Sequence, residues 1–168
     1  MPTRDELGNV LFDCVREVRA LLDYAHKVAI EEQNALLAND AEAIASSCAA
    51  QEEVMLKIAQ ADQNAAAAAE RLAELDGKDA ASMSTVEITR AAGPDYGPLV
   101  AEELYAISQA ALRVRELNEA NSHLLSNGLE IIATCLQTVA SDAQPLTYSD
   151  DASMASRGGI VLSLDSLA

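Results

Sequence analysis

The stretch that decides the fold is residues 98–141, PLVAEELYAISQAALRVRELNEANSHLLSNGLEIIATCLQTVAS. Its apolar seam runs Val100, Leu104, Ile107, Ala111, Val114, Asn118, Asn121, Leu125, Gly128, Ile132, Cys135 and Val139, and every spacing is four or three. That is the repeat of long helices packed side by side. At ~1.5 Å per residue such a helix spans roughly 65 Å. Gly97-Pro98 is expected to launch it, with Pro98 in the first turn, where a missing N–H costs little.

Two more long helices precede it. Thr3-Arg4-Asp5-Glu6 is a capping-box pattern, in which Thr3 accepts a helix N–H and Glu6 reaches back. Apolar residues then recur at Leu7, Leu11, Cys14, Val18, Leu21, Ala25 and Val28, widened by Val15, Leu22, Ala29 and Leu36. Asn39-Asp40-Ala41-Glu42 reads as a second capping box, which places a tight bend near Asn39. The second helix carries Ile44, Cys48, Met55, Ile58, Ala65, Ala69 and Leu72 in the same register, interrupted by Gln51 and Asp62. Asp76-Gly77 supplies its stop. A short helix from Ser84-Thr85-Val86-Glu87 is expected to end at Gly93-Pro94.

The organisation that follows is one helical domain over 1–144, with helices at about 4–39, 40–76 and 98–141 and a connector at 77–97. A flexible tail is expected over 145–168. The fold class is all-α: an elongated antiparallel three-helix bundle or coiled coil. Beyond the short run Ile160-Val161-Leu162, β structure has no support.

Composition agrees. Half the residues are hydrophobic but only 3% are aromatic, so alanine-rich helix packing replaces a core built on large rings. A net charge of −16 repels phosphate backbones and excludes nucleic-acid binding. Cys14, Cys48 and Cys135 form neither a metal-ligand pair nor a disulfide framework, and reduced thiols in the cytoplasm are expected. No charged segment with an apolar core opens the chain, so a secretory leader is not expected. No apolar run approaches the ~20 residues of a membrane span.

Catalytic chemistry has little material. There are two histidines, His26 and His123, and no glycine-rich phosphate loop. Asp23 and His26 lie three apart on one helical face, but a di-iron bundle needs a second such pair and two further carboxylates. The reading is therefore a non-enzyme without cofactor or metal. The informative residues are polar ones inside the third seam. Asn118 and Asn121 either fix helix alignment, as a buried asparagine does in a coiled coil, or bond to a bound helix. Downstream the seam broadens through Leu124, Leu125, Leu129, Ile131, Ile132, Cys135 and Leu136 to an arc of roughly 200°. Either both earlier helices flank this arc, or part of it awaits a partner.

Leu117-Asn118-Glu119-Ala120-Asn121-Ser122-His123-Leu124-Leu125, an apolar helix end and then Thr147-Tyr148 resemble the C-terminal signature of the FlgN family of flagellar export chaperones. Ile30–Asp40 is similar to that family's glutamate-then-leucine segment, and Glu52–Leu56 resembles its acidic-basic-then-leucine segment. The resemblance spans about residues 20–150. The chain departs from the pattern at Gln51-Glu52 and Gln63-Asn64, where the family carries basic residues, and at Ser149-Asp150-Asp151, which separate Tyr148 from the next glycine. The resemblance implies a cytoplasmic chaperone for the hook–filament junction proteins FlgK and FlgL. It would cover their amphipathic terminal helix and present them to the type III export gate, with no ATP, metal or covalent step. On this reading the client surface comprises Leu117, Asn118, Asn121, Leu124, Leu125, Ile131, Ile132 and Leu136, and Tyr148 docks to the export gate. A chaperone for another flagellar or type III client, and a structural coiled-coil protein, are the competing readings. A monomer and a homodimer that opens on binding are both compatible with the sequence.

Overall fold

Helix α1 (Arg4–Ala38) starts where the sequence places it. Thr3 Oγ1 accepts the Glu6 N–H at 3.2 Å, and the Glu6 carboxylate accepts the Thr3 N–H at 2.7 Å. Those bonds hold the Glu6 carboxyl below its usual range. In this computed structural model residues 2–142 are described, with side chains as far as Thr138.

The turn between the first two helices differs by one residue from the expected capping box. Asn39 adopts the left-handed conformation (φ 53°) and closes α1, while Asp40 caps α2 (Ala41–Leu75) by accepting the Ala43 N–H at 3.1 Å. Asparagine tolerates that backbone and aspartate is a strong N-cap, so each residue takes the role its chemistry favours. With so short a link, α1 and α2 are antiparallel neighbours. After Gly77 (φ 64°) come a 3-10 turn (Ala80–Ser82) and α3 (Thr85–Ala91), which has its own capping box between Ser84 and Glu87.

Helix α4 (Gly93–Asp142) begins five residues before the expected Pro98. Gly93, at φ 89°, makes the corner, and it is Pro94 that sits in the first turn. Pro98 lies inside the helix, where it removes the bond that an N–H would give the Pro94 carbonyl. Close packing compensates. A Cβ on Gly97 would run into the Thr89 carbonyl oxygen, and one on Gly8 into that of Ala92, so two glycines let backbones meet.

Contacts order the helices. Arg19 bonds Glu103 at 3.2 Å, Arg113 bonds Asp23 at 3.3 Å, and Asn121 bonds the Ala29 carbonyl at 2.9 Å. Numbers rise together, so α4 runs parallel to α1 and antiparallel to α2. Arg4 staples the opposite end, reaching Asp76 at 2.5 Å and the Ala91 carbonyl at 3.4 Å. The core there joins Leu7, Leu11, Val15, Ala68, Leu72, Ala92 and Val100, with Phe12 and Tyr96 rings 6.4 Å apart beside it. The architecture is a helical bundle, without strands among the described residues.

Two seams are rotated from the sequence reading. In α2 the buried row is Ser47, Val54, Ala61 and Ala68, while Cys48, Met55 and Asp62 are exposed. In α4 the bundle-facing row is Ala110, Val114, Leu117, Asn121 and Leu124, whereas Ala111, Asn118 and Leu125 are exposed. Small residues in the α2 row let α1 approach closely.

The chain divides into two units, Met1–Ile132 and Ala133–Ala168. The bundle is the first; of the second, the described part is the end of α4. The tail expected over 145–168, with Tyr148 and the Ile160–Leu162 run, lies outside the described residues.

Candidate functional site

The residues named from sequence fall into two groups. Leu117 and Leu124 are half-buried and Asn121 is buried, so these three face the bundle. Asn118, Leu125, Ile131 and Ile132 are exposed. Leu136, in the second unit, is exposed as well. Thus Asn118 does not sit in the apolar seam, a correction that follows from the rotation of α4.

The apolar arc is open in this structure. Leu125, Leu129, Ile131 and Ile132 expose 49, 59, 64 and 54% of their surface, values far above those of a packed seam. The reason is length. Leu125 lines the same notch as Leu36, and α1 ends two residues after Leu36, so α4 outruns the turn joining α1 to α2. Past that level no helix stands opposite these side chains among the described residues. Exposed apolar patches on soluble proteins are commonly interaction surfaces, and this row of leucine and isoleucine on an acidic chain is the candidate.

Beneath the open row is a polar layer. The Asn121 amide donates to the Ala29 carbonyl at 2.9 Å and to Glu32 Oε2 at 2.8 Å. The same Glu32 oxygen accepts from Gln51 Nε2 at 2.7 Å, so one carboxylate ties α1, α2 and α4 together. Cys48 Sγ points its proton at Glu32 Oε1, 3.8 Å away. Burial and then the Glu32 charge push the Cys48 thiol up, which makes it a poor nucleophile near neutral pH. Asn121 Oδ1 is buried without a partner. Sequence reasoning singled out neither Glu32 nor Gln51 for this site, although the break that Gln51 makes in the α2 seam was the available signal.

Beside this layer a notch of about 250 Å³ is lined by Glu32, Leu36, Gln51, Asn118, Asn121, Ser122 and Leu125. It shares Asn118 and Ser122 with a groove of about 480 Å³ lined mainly by Leu22, Met55, Ile58, Ala111 and Val114, together with Arg115 and Glu119. These two depressions form a continuous trough between α2 and α4, which the sequence reading did not foresee because it placed Met55 in the core. The arrangement suits an amphipathic helix laid along the trough.

Elsewhere, the Asp23–His26 pair does not resemble a metal site. The Asp23 carboxylate is engaged by Arg113 at 3.3 Å and Arg19 at 3.8 Å. No group of three or more His, Cys, Asp or Glu side chains suited to a metal occurs among the described residues. Among them, too, no helix is long and apolar enough to cross a membrane.

No curated protein and no solved structure matches the chain. A family model described as FlgN protein matches residues 1–156, nearly the whole length. With that match, the chain belongs to the FlgN family of flagellar export chaperones.

Proposed function

We propose that this protein is a cytoplasmic chaperone that binds the amphipathic terminal helix of hook–filament junction proteins of the FlgK and FlgL type. It keeps that helix from assembling prematurely and delivers the client to the type III export gate. One observation carries the reading: a FlgN-family chain leaves the Leu125, Leu129, Ile131 and Ile132 row open at the end of a bundle. Laying an apolar helix face there removes both surfaces from water, at about 25 cal/mol for each Å² of apolar area. No bond is made or broken, so the work is binding and not catalysis, and Tyr148 is assigned to the export gate.

The test is titration calorimetry with purified C-terminal fragments of the two junction proteins, against flagellin and filament-cap fragments as controls. Leu125→Asp with Ile132→Asp should weaken junction-fragment binding at least tenfold while circular dichroism shows the helix content retained. Unchanged binding by the folded double variant refutes the placement of the surface; binding only to a control fragment reassigns the client.

A further inference from the structure

The trough is lined by apolar side chains with Arg115 and Glu119 among them, and the notch is rich in acceptors. Asn121 is 3% exposed, and its orientation is not arbitrary. Its NH₂ meets a carbonyl and a carboxylate, and flipping the amide would set Oδ1 against both acceptors. Oδ1 is consequently the atom left without a partner. A buried acceptor in that state is a standing demand for a donor. Next to it stands the Glu32 carboxylate, its Oε1 holding only the distant Cys48 thiol, and no cation pairs with it among the described residues. Leu36 and Leu125 form the walls of the notch. The ligand that fits is a donor head on a long apolar stem, which describes lysine and arginine. The charge of −16 favours the same choice.

We propose that this notch is a specificity subsite that takes one lysine or arginine side chain from within the apolar face of the client helix, with the cationic head on Glu32 and Asn121 Oδ1 and the stem between Leu36 and Leu125. The inference rests on the client reading above and adds to it. An apolar row alone accepts any amphipathic helix of suitable size, whereas a buried polar group rejects a helix that cannot satisfy it.

A double-mutant cycle tests it, with the junction-protein C-terminal fragment as probe. Each lysine and arginine of the fragment is replaced singly by methionine, which keeps the stem, and each variant is titrated against the full chain and against Glu32→Gln. One fragment substitution should weaken binding to the parent chain about tenfold, Glu32→Gln should do the same, and the two together should cost no more than either alone. Fragments that all bind within twofold of the parent, or losses that simply multiply, overturn the subsite while leaving the chaperone reading intact. A parent fragment that does not bind at all overturns both. Because Glu32→Gln also touches the bundle, Ser122→Lys on the exposed rim is the companion variant. Its own ammonium should occupy the notch, weakening the fragment at least tenfold without lowering the melting temperature. Unaltered affinity in that variant counts against the proposal.

Discussion

Replacing Asn121 with leucine should make the protein more stable, and the structure lets the size of the effect be worked out. The change loses a bond to the Ala29 carbonyl, about 1 kcal/mol, and one to the Glu32 carboxylate, about 2 kcal/mol. Neither acceptor is stranded. Ala29 lies in the interior of α1, where its carbonyl is within the helical ladder, and Glu32 Oε2 keeps Gln51 at 2.7 Å. On the other side, the partnerless Oδ1 disappears, which returns about 2 kcal/mol. A buried leucine side chain contributes about 2 kcal/mol more, and the adjoining notch gives it room. The balance is a gain of about 1 kcal/mol, or about 4 °C in melting temperature for a chain of this size. Differential scanning calorimetry at neutral pH on the parent, Asn121→Leu, Asn121→Ala and Asn118→Leu measures it. The alanine variant, which loses the bonds and gains little burial, should melt below the parent. Asn118→Leu, on an exposed position, should stay within about 0.5 kcal/mol. An Asn121→Leu protein that melts below the parent refutes the reasoning, because the amide would then be worth more than its apolar replacement.

Three further outcomes are expected. Gly97→Ala should destabilise by about 1–3 kcal/mol in urea titrations, because the new methyl meets the Thr89 carbonyl, whereas Gly128→Ala, with open space around it, should gain up to about 1 kcal/mol from helix propensity. The Glu87 carboxyl is held at about 2, against an ordinary 4.5, by the Ser84 N–H, then the Ser84 hydroxyl and Lys78; the stability it lends to α3 is present above pH 4.5 and fades as pH falls towards 2. Amide protection factors in α3, taken against the intrinsic exchange rate at each pH, should therefore fall over that window, and Glu87→Gln should flatten the dependence. Tyr148→Ala should leave client binding in vitro intact while binding to the export gate's cytoplasmic domain and client secretion fall; a loss of client binding instead would move Tyr148 to the client surface.

Helix period was legible in the sequence, but helix rotation was not, and the reason is geometric. In α2 the row Gln51, Ile58, Ala65, Leu72 belongs both to the expected seam and to the observed one. Only the companion row differs, Cys48-Met55-Asp62 against Ser47-Val54-Ala61, and at the end of the helix both Ala68 and Ala69 are buried. Which row is buried depends on the flank where the neighbouring helix lies, a tertiary fact that a 4-3 spacing does not carry. The better-connected companion was nonetheless marked: choosing it removes the charged Asp62 from the seam. The same holds in α4, where exchanging Ala111-Asn118-Leu125 for Ala110-Leu117-Leu124 takes one asparagine out of the interior. Helix size misled in the same way, since Met55 is larger than Ala61 yet lies outside, because α1 comes close enough only over small residues. The start of α4 was misplaced because two Gly-Pro pairs, at 93–94 and 97–98, carry the same local signal. Gly97 is spent on contact with Thr89, which again only the packed structure reveals.

The site was legible in outline and hidden in detail for a related reason. That α4 carries more apolar surface than its neighbours cover follows from comparing lengths, since α1 stops at Ala38 near the level of Leu125. The polar layer below it joins Glu32 from α1, Gln51 from α2 and Asn121 from α4; Gln51 and Asn121 each show in the sequence as a polar break in an apolar seam, but nothing there says that they meet on Glu32. Stability does not account for that layer. A leucine at position 121 is expected to satisfy the bundle better than an amide whose oxygen has no partner. Helices α1 and α2 are already aligned by their short turn and by Arg4 on Asp76, and α4 is held along α1 by Arg19 on Glu103 and Arg113 on Asp23. Register is therefore fixed without the asparagine. What the amide does add is a buried, unpartnered acceptor in the lining of the notch that also holds Leu125, the first residue of the open row. If Asn121→Leu proves the more stable protein, the amide is a group kept at a cost in stability and not required for alignment, which is what the proposed reading of a client side chain calls for.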